Sequence, residues 1–256
     1  MNESELVALI GKQWGGIRKP SLLIFNPQSF SNRKLRLLEF VNYSNLDREA
    51  KVLLCEILII YSSPGIGSYQ TDGDVQWLLR QISNDLFKNS SNQRVLPLKT
   101  AFQLLSTQDE NAYELSAVVT PYLFAELEHL VRKHSRYLDY DGKVLRRLPK
   151  QTVNKKEGQR VNQIHIAYKL FLYRNQSLVA KRLKILDKKM GNFYMASPSG
   201  QFKKLKNGVT GHFIEVRNVS DRIKQTRNSI MHGELNFLGT ESYFYALLIA
   251  IFYYYE

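Results

Sequence analysis

The segment from Tyr243 to Tyr255 constrains the fold more than any other part of the chain. It reads Tyr-Phe-Tyr-Ala-Leu-Leu-Ile-Ala-Ile-Phe-Tyr-Tyr-Tyr, without a charge or a turn-forming residue. As a helix it would be apolar on every side, and such a helix is stable in water only when other elements surround it. Its length of about 13–15 residues falls short of the roughly 20 needed to cross a bilayer. A helix buried in a core or in a dimer interface is the expected outcome. Its tyrosines suit a buried element whose polar tips find partners.

The rest of the sequence supplies helices to surround it. Asn32–Tyr43 carries apolar residues near three-and-four spacing, and Leu46–Tyr61 is apolar on most sides. Pro64, Gly65 and Gly67 break the pattern, and Asp72 or Asp74 can cap the next helix, through Val75, Leu78, Leu79, Ile82 and Leu86. Thr107 and Glu110 have capping-box spacing and open a helical stretch to about Tyr137, which Pro121 should kink or split. One long helix is expected over Gln159–Lys189, another over Val216–Met231, and a last one over Glu241–Tyr255. Between them, Phe193-Tyr194-Met195 and Phe202–Leu205 flank Ser197-Pro198-Ser199-Gly200, which reads as a turn or short hairpin near 193–206. The fold class is all-α.

Charge divides the chain. The net charge is +13, yet residues 1–141 hold 15 Lys and Arg against 16 Asp and Glu, whereas residues 142–256 hold 21 against 7. The polar stretch Asp139–Glu157 marks the change and reads as a linker or long loop. The expected organisation is a helical region over 1–141, of unassigned function and able to pack with the rest, and a basic region over 142–256. An excess of 14 positive charges in the second part draws polyanions. The single cysteine, Cys55, forms no internal disulfide and sits in an apolar run. With no basic n-region in the acidic N-terminus, a cytoplasmic location without a membrane is expected.

Arg227-Asn228-Ser229-Ile230-Met231-His232 is the segment that joins the residue types RNA cleavage requires. RNA carries its own nucleophile, the 2′-hydroxyl, so no metal or other cofactor is expected. Histidine moves protons near neutral pH, and the arginine fork matches phosphate oxygens. Asn228 and His232 are four apart and share a helix face. Arg227 and His232, however, lie about 140° apart on a regular helix. The motif therefore works at a helix end or in duplicate across a dimer axis.

Arg-Asn-x-x-x-His-Gly, late in a helical chain and followed by one last apolar helix, resembles the HEPN superfamily. That family's motif is an Arg, four to six residues and a His, often with Asn directly after the Arg. The likeness covers residues 155–256, and residues 1–105 resemble nothing recognisable. It implies a helical bundle, here with additional N-terminal helices, that dimerises around a composite site. It further implies a metal-independent endoribonuclease of phage defence, a toxin system or RNA processing, with an antitoxin or regulatory protein as a partner. His232 would be the acid/base, Arg227 would hold the phosphate and Asn228 would position one or both. Some members are inactive scaffolds or nucleotide binders, so a non-catalytic RNA- or nucleotide-binding module is the alternative. Lys181, Arg182, Lys184, Lys203, Lys204, Lys206 and Lys224 are the expected RNA contacts, with Tyr168, Tyr173, Phe193 and Tyr194 as stacking partners or core. His165, within an amphipathic helix, reads as a core-edge histidine.

Overall fold

The structure is a computed structural model, and it describes residues 1–13, 37–61, 72–88, 95–107, 112–146, 156–196, 204–206, 213–215, 218–231 and 238–256. Within these residues the chain is predominantly helical. The helices are α1 (Glu3–Gln13), α2 (Leu37–Phe40), α3 (Arg48–Tyr61), α4 (Asp72–Leu86) and α5 (Val95–Leu105). They continue with α6 (Ala112–Lys133), α7 (Ile164–Leu172), α8 (Leu178–Ala196), α9 (Val219–Met231) and α10 (Leu238–Tyr254).

The apolar C-terminal run forms α10 and occupies the middle of the molecule. Every residue from Glu241 to Phe252 is buried. Its most extensive neighbours are α6 and α3, and α4 and α5 also pack against it. Phe252 meets Phe171 of α7, with ring centroids 5.3 Å apart, and Tyr253 meets Phe87 at 5.5 Å. A single core cluster joins these residues to Leu6 and Ile10 of α1, so apolar side chains from both sides of residue 142 share one interior. No helix among the described residues is long and apolar enough to cross a membrane.

Two sequence expectations differ from the structure, and of the two outcomes expected at Pro121 the split does not occur. The helix expected over Gln159–Lys189 is two helices, because Arg174 takes a left-handed φ of 49° after α7. Asn175 then accepts the Ser177 amide at 3.0 Å and donates to the His134 carbonyl at 3.1 Å, while Ser177 Oγ receives the Ala180 amide and starts α8. Phe193-Tyr194-Met195 belong to α8 and not to a strand. The hairpin lies further on, with Lys204–Lys206 paired antiparallel to Phe213–Glu215 in the register Leu205 to Ile214. Lastly, α6 runs through Pro121 without dividing.

The stretch expected as a linker is partly structured. Leu138 bridges Val144 and Lys143 bridges Arg160, and Leu138, Val144 and Val161 are buried. Gly142 makes the turn at a φ of +77°, where a Cβ would meet the Arg132 guanidinium at 3.0 Å. The described ends of this segment therefore dock on the core.

Candidate anion-binding face on helices α7 and α9

The sequence explains how α9 is started and aimed. Asn218 Oδ1 accepts the Asp221 amide at 2.9 Å, and Asp187 Oδ1 on α8 accepts the Val219 amide at 3.0 Å. Two side chains thus satisfy orphan donors of the first turn. Val219, Arg222, Ile223 and Thr226 then fall on one stripe and are all buried. The charge within that stripe is satisfied by α10. Arg222 Nε lies 2.9 and 3.2 Å from the two Glu241 oxygens, and its Nη2 is 2.9 Å from Oε1. Thr226 Oγ1 donates to Glu241 at 2.6 Å, the Arg222 Nη1 reaches the Ile59 carbonyl at 3.3 Å, and the guanidinium stacks 4.1 Å from the Phe244 ring centroid. This network pins the inner face of α9 to α10 and α3.

A second face of α9, about a third of a turn round the helix, borders α7. Ser220 Oγ donates to the His165 carbonyl at 3.2 Å. Lys224 and Arg227 follow Ser220 at four and seven residues, about 6 and 10 Å farther along the same face. Lys169 lies one turn after His165 on α7. Lys169 and Lys224 are exposed, while Arg227 and His165 are half-buried. Burial holds the imidazole pKa below its ordinary value, the charges of Lys224, Lys169 and Arg227 push in the same direction, and Asp221 opposes them. His165 Nδ1 is buried and has no hydrogen-bond partner among the described residues. The face therefore combines three cations with an imidazole held toward its neutral form, which suits a phosphate and a proton transfer at that phosphate.

The expected site residues fare unevenly. Arg227 and Lys224 meet on this face. Asn228 lies on α9, His232 and Lys203 lie outside the described residues, and Lys204 and Lys206 are on the first hairpin strand. Lys181 is exposed on α8, and Lys184, also exposed, donates to the Asn175 carbonyl at 3.0 Å. Arg182 is engaged within the protein: it binds Glu3 at 2.9 and 3.1 Å and Glu56, whose side chain is fully buried, at 3.1 Å. Its charge is neutralised before any polyanion arrives. Tyr168 is fully buried, so it is core and not a stacking platform. Tyr173 packs edge-on against Tyr137 at 5.7 Å.

Sequence reasoning sets His165 aside and passes over Lys169 and Arg222, although the signals are present. His165 and Lys169 are four apart on the border of the Ile164/Ala167/Tyr168/Phe171 face, and Arg222 interrupts an apolar stripe, which is the mark of a buried pair.

Asp187 supplies a pH-dependent prediction. Burial raises its carboxyl to about 7, Asp221 adds to the rise, and the Val219 amide and Lys169 oppose it. Between the unfolded value of 3.8 and about 7 the native state keeps a proton that the unfolded chain has released. Native stability therefore declines as pH rises through that window. Asparagine retains the acceptor for Val219 and removes the titration. The Tm of Asp187→Asn minus that of wild type is expected to be larger at pH 8 than at pH 4.5, read by circular dichroism.

Comparison of the chain with known protein families, with curated proteins and with solved structures finds no match.

Proposed function

We propose that the protein is a metal-independent endoribonuclease of HEPN type, working as a homodimer in defence, in a toxin system or in RNA processing. The observation that supports this reading is the α7–α9 face, where the charges of Lys169, Lys224 and Arg227 act on the half-buried imidazole of His165. The face belongs to the half of the chain that carries 21 basic against 7 acidic residues. Long-range charge brings RNA to this half, and the short-range fork of Arg227 engages the scissile phosphate. His232 carries the proton transfer and Asn228 orients the groups. The reaction is transesterification by the RNA 2′-hydroxyl, leaving a 2′,3′-cyclic phosphate and a 5′-hydroxyl.

Purified protein is expected to cleave single-stranded RNA in EDTA and to yield those ends. Arg227→Ala/His232→Ala should cleave at least about 10²-fold more slowly, the lower bound for loss of general acid–base catalysis. Retention of RNA with steep salt dependence, with equal lack of cleavage by wild type and double variant, would identify a binding module and overturn the nuclease reading.

A further inference from the structure

Packing explains one side of α8 and not the other. Val179, Leu183, Leu186 and Met190 are buried at three-and-four spacing and fix the helix on the core. Yet Leu178 is 57% exposed and Ile185 45%. A single exposed leucine is ordinary. These two stand seven residues apart, almost in line along the helix and about 10.5 Å from one another. Lys181 and Lys188 are also seven apart, and each follows one of the apolar residues by three positions. With Lys184 they form an exposed basic border on one side of the pair.

We propose that this outer strip of α8, Leu178 and Ile185 bordered by Lys181, Lys184 and Lys188, is a docking surface for an acidic amphipathic helix of a partner protein. The inference stands on α8 alone and is independent of the endoribonuclease reading.

The cations on the two sides of the apolar pair differ. Arg182 and Lys189 border it on one side, and both are balanced within the protein. Arg182 binds Glu3 at 2.9 Å and also the buried Glu56, which Lys189 binds at 3.0 Å. On the other side, Lys184 donates to the Asn175 carbonyl at 3.0 Å, a neutral acceptor that leaves its charge in place. The strip thus sets three lysines beside two aliphatic side chains, and its complement sets carboxylates beside aliphatic side chains. The seven-residue repeat adds that the complement is a helix, because this is the period at which one helix follows another at a shallow crossing angle.

Other occupants fit less well. A second copy of α8 would bring lysine to lysine along the same seam, and like charges repel. RNA would satisfy the lysines but leave Leu178 and Ile185 without apolar contact, and Leu178–Met190 contains no aromatic residue on which a base could stack. An anionic bilayer takes up a broad apolar face. This one is a single residue wide, with lysine about 60° away round the helix. A helix seated on the strip withholds Lys181 and Lys184 from any other anion.

The test uses the full chain and a fluorescent synthetic helix that carries two leucines seven residues apart, flanked by glutamates. A control peptide has serine in place of both leucines. In anisotropy titrations at about 0.15 M salt, wild type should bind the leucine peptide at least about tenfold more tightly than the serine peptide, the scale of withdrawing aliphatic side chains from an apolar contact. Ile185→Ser keeps every charge and should also lose about tenfold. Lys181→Glu/Lys188→Glu should lose at least as much through repulsion of the glutamates. Because all three positions are exposed, the melting curves of these variants should match wild type. Failure of the leucine peptide to bind overturns the proposal. Equal affinity for the two peptides, with steep salt dependence, assigns the strip to polyanions such as RNA and overturns it as well. So does pelleting with phosphatidylglycerol vesicles that is lost in Ile185→Ser, which would assign the strip to a lipid surface.

Discussion

Arg222→Met is expected to cost about 3–5 kcal/mol of folding stability, the range for leaving one member of a buried ion pair alone. Arg222 is 0% exposed and Glu241 3%. Without the guanidinium, Glu241 would retain only the Thr226 hydroxyl donor within the described network, in an interior where water cannot replace the missing bonds. Because domains of this kind are stable by about 5–15 kcal/mol, the loss is a large share of the total. Urea unfolding followed by circular dichroism reads it directly. The companion experiment is Arg222→Met/Glu241→Met, in which both charges are gone. Apolar replacement of a whole buried pair is often neutral or stabilising, and with Glu241 gone the Thr226 hydroxyl can donate instead to the backbone carbonyl of residue 222, 3.1 Å away. The double variant should therefore be more stable than the single one. A single variant within about 1 kcal/mol of wild type, on the order of an ordinary surface change, would show that the pair does not hold α9 in place.

Arg182→Met is expected to have an effect of similar size for a related reason, and on the proposed RNA reading it separates structural cations from those available to a polyanion. Glu56 is 0% exposed and is bound by Arg182 and, at 3.0 Å, by Lys189. Arg182 also ties Glu3 of α1 to the same centre. Removing it leaves Glu56 with Lys189 alone and frees α1 from α8, a loss of about 3–5 kcal/mol. The RNA affinity of the folded protein should hardly change. Lys181→Ala, at the exposed neighbouring position, should do the reverse. Its stability should stay within about 0.5 kcal/mol of wild type. Its RNA affinity should fall, and the salt dependence of binding should become shallower, because one fewer cation neutralises the phosphate backbone. Weaker RNA binding by folded Arg182→Met than by Lys181→Ala would contradict this division.

These two cases show where sequence reading works and where it stops. Val219, Ile223 and the Tyr243–Phe252 run announce burial because apolar residues repeat at the helical period or fill it entirely. Arg174 and Asn175 read as parts of one long helix because the apolar groups before and after them continue in phase. Their left-handed turn and its side-chain bonds are local chemistry that periodicity does not register. Phe193-Tyr194-Met195 read as one side of a hairpin because Ser197-Pro198-Ser199-Gly200 follows them, yet they continue a helix whose preceding residues Val179, Leu183, Leu186 and Met190 are buried at three-and-four spacing. Arg182 and Lys181 are indistinguishable as charges in a string, and only the position of Glu56 opposite one of them separates their roles.

The feature that most constrained the chain, its uncharged C-terminal run, specified a surrounded helix by composition alone, since no amphipathic surface position could accommodate it. The sequence by itself also determined the helical class, the charge asymmetry and the presence of the Arg227–His232 motif. The tertiary structure decided that α10 lies against α6 and α3, that Arg222 is sealed against Glu241, and that His165 stands beside the face bearing Lys224 and Arg227. The reason is physical: helical periodicity states which face of an element must leave water, but not which other element it meets. Residue 165 and residue 227 become neighbours only when two helices separated by a turn, a third helix and a hairpin are packed together.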